Sequence, residues 1–172
     1  MGILLLAPFF LIRFGLMSRI NRDAVKRAAY FAPLLDKEKA AYWIYQFSNA
    51  AVVIYMIFLK IRYTPTWLLS TGIVMYLLGL VLLAVSVVSF AAPAQNGINK
   101  SGVYRLSRNP MYVSYFIYFM GCAVLTQSCI LFALVSVFQI AGHWIILSEE
   151  RWCTWKFGEE YLQYMEKVRR YL

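Results

Sequence analysis

Two adjacent carboxylates, Glu149 and Glu150, stand where a long uncharged run gives out. Between residues 111 and 148 no side chain carries a fixed charge, and the chain's single histidine, His143, lies inside that run. A carboxylate pair at the end of a hydrophobic segment can accept hydrogen bonds from cationic or hydroxyl groups. An ionisable group at membrane depth is costly and normally faces the protein interior, so His143 is a candidate proton acceptor for the same site. Pattern alone also fits a second reading, the commoner one for a lone histidine: a solvated helix end and an interior histidine that only hydrogen-bonds.

A second cluster runs Ser101-Gly102-Val103-Tyr104-Arg105-Leu106-Ser107-Arg108-Asn109-Pro110-Met111-Tyr112. Pro110 suits the first turn of a helix, and Asn109 before it suits the N-cap. A helix start with Arg105 and Arg108 beside it is a seat for an anionic group; an ordinary cap with snorkelling arginines uses the same residues. The third cluster is the tail. Gly158 is placed to end one helix in a left-handed conformation. Glu159 and Glu160 then open another, with Lys167, Arg169 and Arg170 at its far end, both suited to the helix dipole. Tyr161, Leu162, Tyr164, Met165 and Val168 form an apolar stripe at helical spacing. Such a helix lies along a membrane face, as an anchor or as a cover over the protein.

The elements that must position these residues are membrane spans. Of 172 residues, 62% are hydrophobic and only 15% charged, against roughly 45–50% apolar in soluble domains. The fold class expected is all-α: a polytopic integral membrane protein with about five transmembrane helices and a C-terminal amphipathic cytoplasmic helix. Spans are expected over residues 3–17, 40–59 and 67–92. Two further helices of about 17 residues are expected within 111–148, turning at Thr126-Gln127-Ser128. The first run is the shortest; it holds Pro8, and Arg13 near its end can snorkel to the interface. An interfacial or re-entrant helix is the other reading of that run, and the first two spans carry no motif. The run is read as a retained helix rather than a cleaved signal. Residues 1–172 form a single membrane domain: N-terminal spans over 1–92, then a loop, a helical hairpin and the tail over 93–172.

Charge gives the orientation. Fourteen of the 17 Lys and Arg, and all eight acidic residues, fall in segments 18–39, 93–109 and 149–172. The positive-inside rule puts those segments in the cytoplasm and the N-terminus outside. Loop and tail then share one face and can meet in space. A net charge of +9 does not call for nucleic acid, because no basic run is interleaved with stacking aromatics. Cys122, Cys129 and Cys153 form no paired motif; they read as buried small hydrophobes, and no metal site is expected.

The ordered set Gly-Val-Tyr-x3-Arg-Asn-Pro-Met-Tyr, an uncharged hairpin, then His-x5-Glu-Glu-x6-Phe-Gly-x2-Tyr-x2-Tyr-x3-Val resembles the isoprenylcysteine carboxyl methyltransferase and phospholipid methyltransferase superfamily of membrane enzymes. The resemblance covers residues 98–172. It implies S-adenosyl-L-methionine as cofactor, held at the cytoplasmic end of the last two spans, and a lipophilic acceptor from the bilayer, either an isoprenylcysteine-type carboxylate or a lipid amine. No protein partner is implied. Carried onto this chain, the cofactor set is Ile98, Gly102, Tyr104, Arg108, Asn109, Pro110, Met111, Tyr112, His143, Glu149, Glu150 and Tyr161, with His143, Glu149 and Arg108 as catalytic candidates. The Asn-Pro-Met-Tyr segment looks like the phospholipid branch, and Phe-Gly-Glu-Glu-Tyr like the isoprenylcysteine branch. Isoprenylcysteine enzymes carry a substrate-side arginine one turn before the glutamates, where Ile145 stands here. A nicotinamide-dependent reductase of the sterol-reductase type and a non-catalytic membrane protein are the competing classes.

Overall fold

The computed structural model describes residues 2–92 and 98–172; Met1 and the first part of the loop, with Pro93 and Gly97, lie outside the described residues. Every regular element among the described residues is helical. The elements are α1 (Ile3–Ile20), α2 (Arg22–Ala28), α3 (Asp36–Phe58), α4 (Thr66–Ala91), a 3-10 turn (Gly102–Arg105), α5 (Pro110–Thr126), α6 (Cys129–Phe157) and α7 (Glu159–Lys167). Helices α1, α4 and α6, and α3 from Glu38, are long and apolar enough to cross a membrane. The apolar α5, at 17 residues, sits at the lower limit for a span. The protein is thus an all-α polytopic membrane protein.

The hairpin differs from expectation in length. Helix α6 does not stop near Ser148 but continues to Phe157, because nothing after Ser128 breaks it until Gly158. That glycine has φ 55° and ψ −133°. Its φ is positive as expected, but its ψ is not that of a left-handed helix; it is a conformation essentially reserved for glycine. The tight turn is built as the sequence implies: Gln127 adopts φ 50°, ψ 40°, and the Ser128 hydroxyl accepts the Leu131 N–H at 3.2 Å.

Helix α1 is continuous through Pro8, with a π-helical stretch at Leu11–Leu16. Pro8 removes one ladder N–H and loosens its turn. Two tyrosines serve that turn: Tyr118 and Tyr76 both donate to the Leu5 carbonyl, at 2.6 and 3.1 Å. Phe9 stacks on Tyr118 with ring centroids 4.9 Å apart. The spine of the fold is the α4–α5 pair, which meets through glycine: a Cβ on Gly79 would lie 2.5 Å from the Tyr118 backbone nitrogen, and one on Gly121 2.6 Å from that of Tyr76. Small residues let backbones approach where lipid supplies no hydrophobic drive. Cys122 is buried in this pair as expected, whereas Cys129, at the start of α6, is exposed.

Hydrogen bonds define two ends of the bundle. At one end Gly2 N–H donates to Leu59 O at 2.7 Å, Arg62 N–H to Leu125 O at 2.9 Å, and the Gln127 amide to Thr64 O at 2.7 Å. At the other, Asn21 and Arg27 donate to the carbonyls of Ala91 and Phe90, both at 3.4 Å. There too Arg151 grips Glu38 through both oxygens, at 2.8 and 2.7 Å, tying α6 to the start of α3. Glu38 also reaches back to the Leu35 N–H at 2.8 Å, as in a capping box. The loop and the tail belong to this second, charge-rich end.

Candidate functional site

The loop and the tail do meet. The Arg108 N–H donates to Arg169 O at 2.9 Å, and Ser107 Oγ and the Asn109 amide donate to Arg170 O at 3.3 and 3.2 Å. The chain beyond α7 is therefore an extended strap across the start of α5. Helix α7 ends at Lys167, so Arg169 and Arg170 are not its dipole partners, as the sequence implied, but part of this strap. Tyr161 and Tyr164 turn inward against Ile98, backed by Cys153, Phe157 and Met165, while Leu162 stays exposed. Of the two roles open to α7, the contacts favour a cover. The Tyr164 hydroxyl donates to Tyr104 O at 2.6 Å. Burial pushes that phenol up to about 12 and raises Tyr104 as well, so both stay neutral.

Glu149, Glu150 and Arg151 are consecutive, so their side chains leave α6 about 100° apart and serve three neighbours. Arg151 takes Glu38, as above. Glu150 is buried between two arginines: Arg108 Nε and Nη2 lie 3.0 Å from Oε1, and Arg170 Nε and Nη2 lie 2.9 Å from Oε2. Asn109 adds a third donor to Oε1 at 3.3 Å. Glu149 accepts the Tyr112 hydroxyl at 3.0 Å and has no ion-pair partner among the described residues.

Several expectations change accordingly. Arg108 is not an open anion seat, because its guanidinium is committed to Glu150 and to Met165 O at 2.9 Å. Glu150 has both oxygens engaged, so only Glu149 of the pair has carboxylate capacity to spare. Asn109 stands at the N-cap but caps nothing with its side chain; the Glu150 carboxylate attracts its amide instead. His143 is seven residues before Glu150, so it shares that helix face, within about 20°, rather than the face of Glu149. There it shares a hydrogen bond of 2.7 Å with the Tyr171 hydroxyl, fastening the same strap.

A cavity of about 830 Å³ lies between the bundle, the loop and the tail. Ile98, Tyr104, Arg108, Asn109, Met111, Tyr112, Glu149, Glu150 and Tyr161 line it; Gly102, Pro110 and His143 do not. Gly102 backs onto Ser89 beside a smaller hollow, and Pro110 is buried at the first position of α5. The N-terminal spans, where no motif is expected, supply much of the wall: Phe9 and Arg13 from α1, Tyr45, Gln46 and Asn49 from α3, with Phe31 from the connection between α2 and α3. The signal was present in part. Tyr42, Tyr45, Gln46 and Asn49 recur at three- and four-residue spacing, on one helix face, and an arginine in an apolar run faces inward more often than lipid.

The family model for phospholipid methyltransferases matches residues 69–160, more than half of the chain. No curated protein and no solved structure matches it. The matched segment begins in α4 and ends in α7, so it contains Tyr104, Tyr112 and the Glu149–Glu150 pair, with the α4–α5 spine that holds them. On that match, with the membrane-spanning helices around it, the chain belongs to the phospholipid methyltransferase family of membrane methyltransferases.

Proposed function

We propose that the protein transfers a methyl group from S-adenosyl-L-methionine to a lipophilic acceptor drawn from the bilayer. The observation that carries this reading is the cavity itself. It joins Glu149, a carboxylate without an ion pair among the described residues, to tyrosine rings and to an apolar lining of Phe9, Phe10, Phe14, Phe119 and Phe138. Its volume lies within the range of about 300–1,000 Å³ usual for small-molecule sites.

The residues fit the cofactor's chemistry. When bound, it supplies an electrophilic methyl group on a cationic sulfur. Tyr104, Tyr112 and Tyr115 line the cavity, and aromatic rings attract a cation to their faces. Glu149 is an acceptor for ammonium or ribose hydroxyls, and Tyr112 fixes its orientation. Arg27 and Lys156 also line the cavity and are cations for a carboxylate, in place of the committed Arg108. Arg108 and Glu150 act one step away, holding the strap and α7 over the cavity. The protein's share of the catalysis is orientation and exclusion of water. A carboxylate acceptor needs no base. An amine acceptor must lose a proton; Glu149, which lines the cavity where His143 does not, is the proton acceptor proposed for it. The charge-rich end would face the cytoplasm under the positive-inside rule, giving the cofactor entry beneath α7 and the lipid entry from the side.

Calorimetry with S-adenosylhomocysteine tests the reading. The wild-type protein is expected to bind it, and Glu149→Gln to weaken binding at least tenfold, about the value of one hydrogen bond to a charged group, with an unchanged melting curve. No binding to the wild type at millimolar ligand would overturn the proposal.

A further inference from the structure

We infer that Arg13, together with Gln46 and Asn49, forms a seat for a negatively charged group on the acceptor. The inference rests on the methyltransferase reading, which it deepens by naming the acceptor's chemistry.

Arg13 sits in the π-helical stretch of α1, half-buried, and lines the cavity. Local π-helix inside an α-helix often marks a functional site. Its Nη2 donates to Ala28 O at 3.0 Å and its Nη1 lies 3.6 Å from the Met17 sulfur. The guanidinium stands 5.9 Å from the Tyr115 ring centroid and 5.8 Å from that of Phe14. Five N–H donors belong to a guanidinium, more than these contacts use. Arg13 and Glu149 line the same cavity but make no ion pair within 4.0 Å. Among the described residues Arg13 pairs with no carboxylate at all.

A cation within a span and without a counter-ion is costly, and such residues face cavities and mark substrate paths. The same cavity is lined by two carboxamides from α3. Gln46 donates to the Tyr42 hydroxyl at 3.0 Å, and the Asn49 side chain makes no hydrogen bond among the described residues. A guanidinium and amide donors lining one cavity with phenylalanine rings are complementary to anionic oxygens carried on an apolar chain. Both a lipid phosphodiester and a lipid carboxylate have that chemistry.

In a background that keeps Trp152, which lines the cavity, and replaces the exposed Trp43, Trp67, Trp144 and Trp155 with Phe, quenching of tryptophan fluorescence by brominated lipids in detergent reads the seat. Three probes separate the sources: phosphatidylmethanol for the phosphodiester, oleate for the carboxylate and diacylglycerol as the uncharged reference. The wild type is expected to bind one of the anionic probes at least tenfold more tightly than diacylglycerol. Arg13→Gln should lose that preference, Arg13→Lys should retain most of it, and exposed Arg22→Gln should behave as wild type. Should Arg13→Gln fail to fold, Gln46→Ala/Asn49→Ala is read instead, with a several-fold loss of anion preference expected. A wild type that does not discriminate, or variants that keep the preference, would overturn the seat. S-adenosylhomocysteine binding, measured in parallel, is expected to survive Arg13→Gln. Its absence in the wild type sinks the methyltransferase reading while leaving the lipid result legible.

Discussion

Glu150→Ala should lower the melting temperature in detergent by about 10 °C and abolish S-adenosylhomocysteine binding. Glu150 has a side chain only 5% exposed, held by Arg108 at 7% and Arg170 at 32%. Truncating one member of a buried cluster strands the others, at about 3–5 kcal/mol. For a chain of this size each kcal/mol moves the midpoint by about 2–4 °C. The functional loss follows from geometry. Arg170 and Asn109 both lose their carboxylate, the strap loosens from α6, and α7 no longer covers the cavity. Arg108→Ala/Glu150→Ala should recover part of the stability, because the buried charge and its partner leave together, yet binding should stay weak without the cover. Thermal melts of the two single variants and the double variant check this; a Glu150→Ala protein that melts like wild type would remove the clamp from the account.

The sequence carried most of the architecture because membrane spans are written in composition and length, and the glycine, proline and serine punctuation fell where the turns are. It also brought loop and tail to one end, through charge asymmetry alone. What it did not carry is how adjacent charges divide their work. Glu149 and Glu150 read as one pair, but a helix separates consecutive side chains by about 100°, and only the folded tail decides that Arg170 comes to Glu150. Arg108 read as an open anion seat for the same reason, since its partner lies 42 residues away. His143 looked close to the glutamates in sequence, while helical phase puts it under Tyr171. Arg13 was legible as an anomaly within an apolar run, but its neighbours come from the end of α2 and from α5, contacts that no local pattern encodes. Ile145, buried on α6, offers no charge to an acceptor.

The second large effect is expected far from the cavity, at Gly79. A methyl group there would lie 2.5 Å from the Tyr118 nitrogen and 2.6 Å from its Cα, so the obstacle is backbone and no rotamer relieves it. Helices α4 and α5 must separate, and overpacking of this kind costs about 1–3 kcal/mol for small intrusions. Gly79→Ala should therefore melt about 3–10 °C lower, and Gly79→Leu should not yield monodisperse protein. The consequence reaches the site through Tyr118. That residue donates to Leu5 O and stacks on Phe9, so a displaced α5 shifts α1 with it. Tyr112 and Tyr115 lie on the same helix as Tyr118, so their rings move relative to Glu149 on α6. Gly79→Ala should then weaken S-adenosylhomocysteine binding several-fold even where the protein stays folded. Gly15 is the control: a Cβ there meets nothing within 4 Å, and alanine is the better helix former by about 0.5–1 kcal/mol. Gly15→Ala is expected to melt no lower than wild type and to bind unchanged. Equal behaviour of the two variants would show that the α4–α5 contact is not what holds the tyrosines in place.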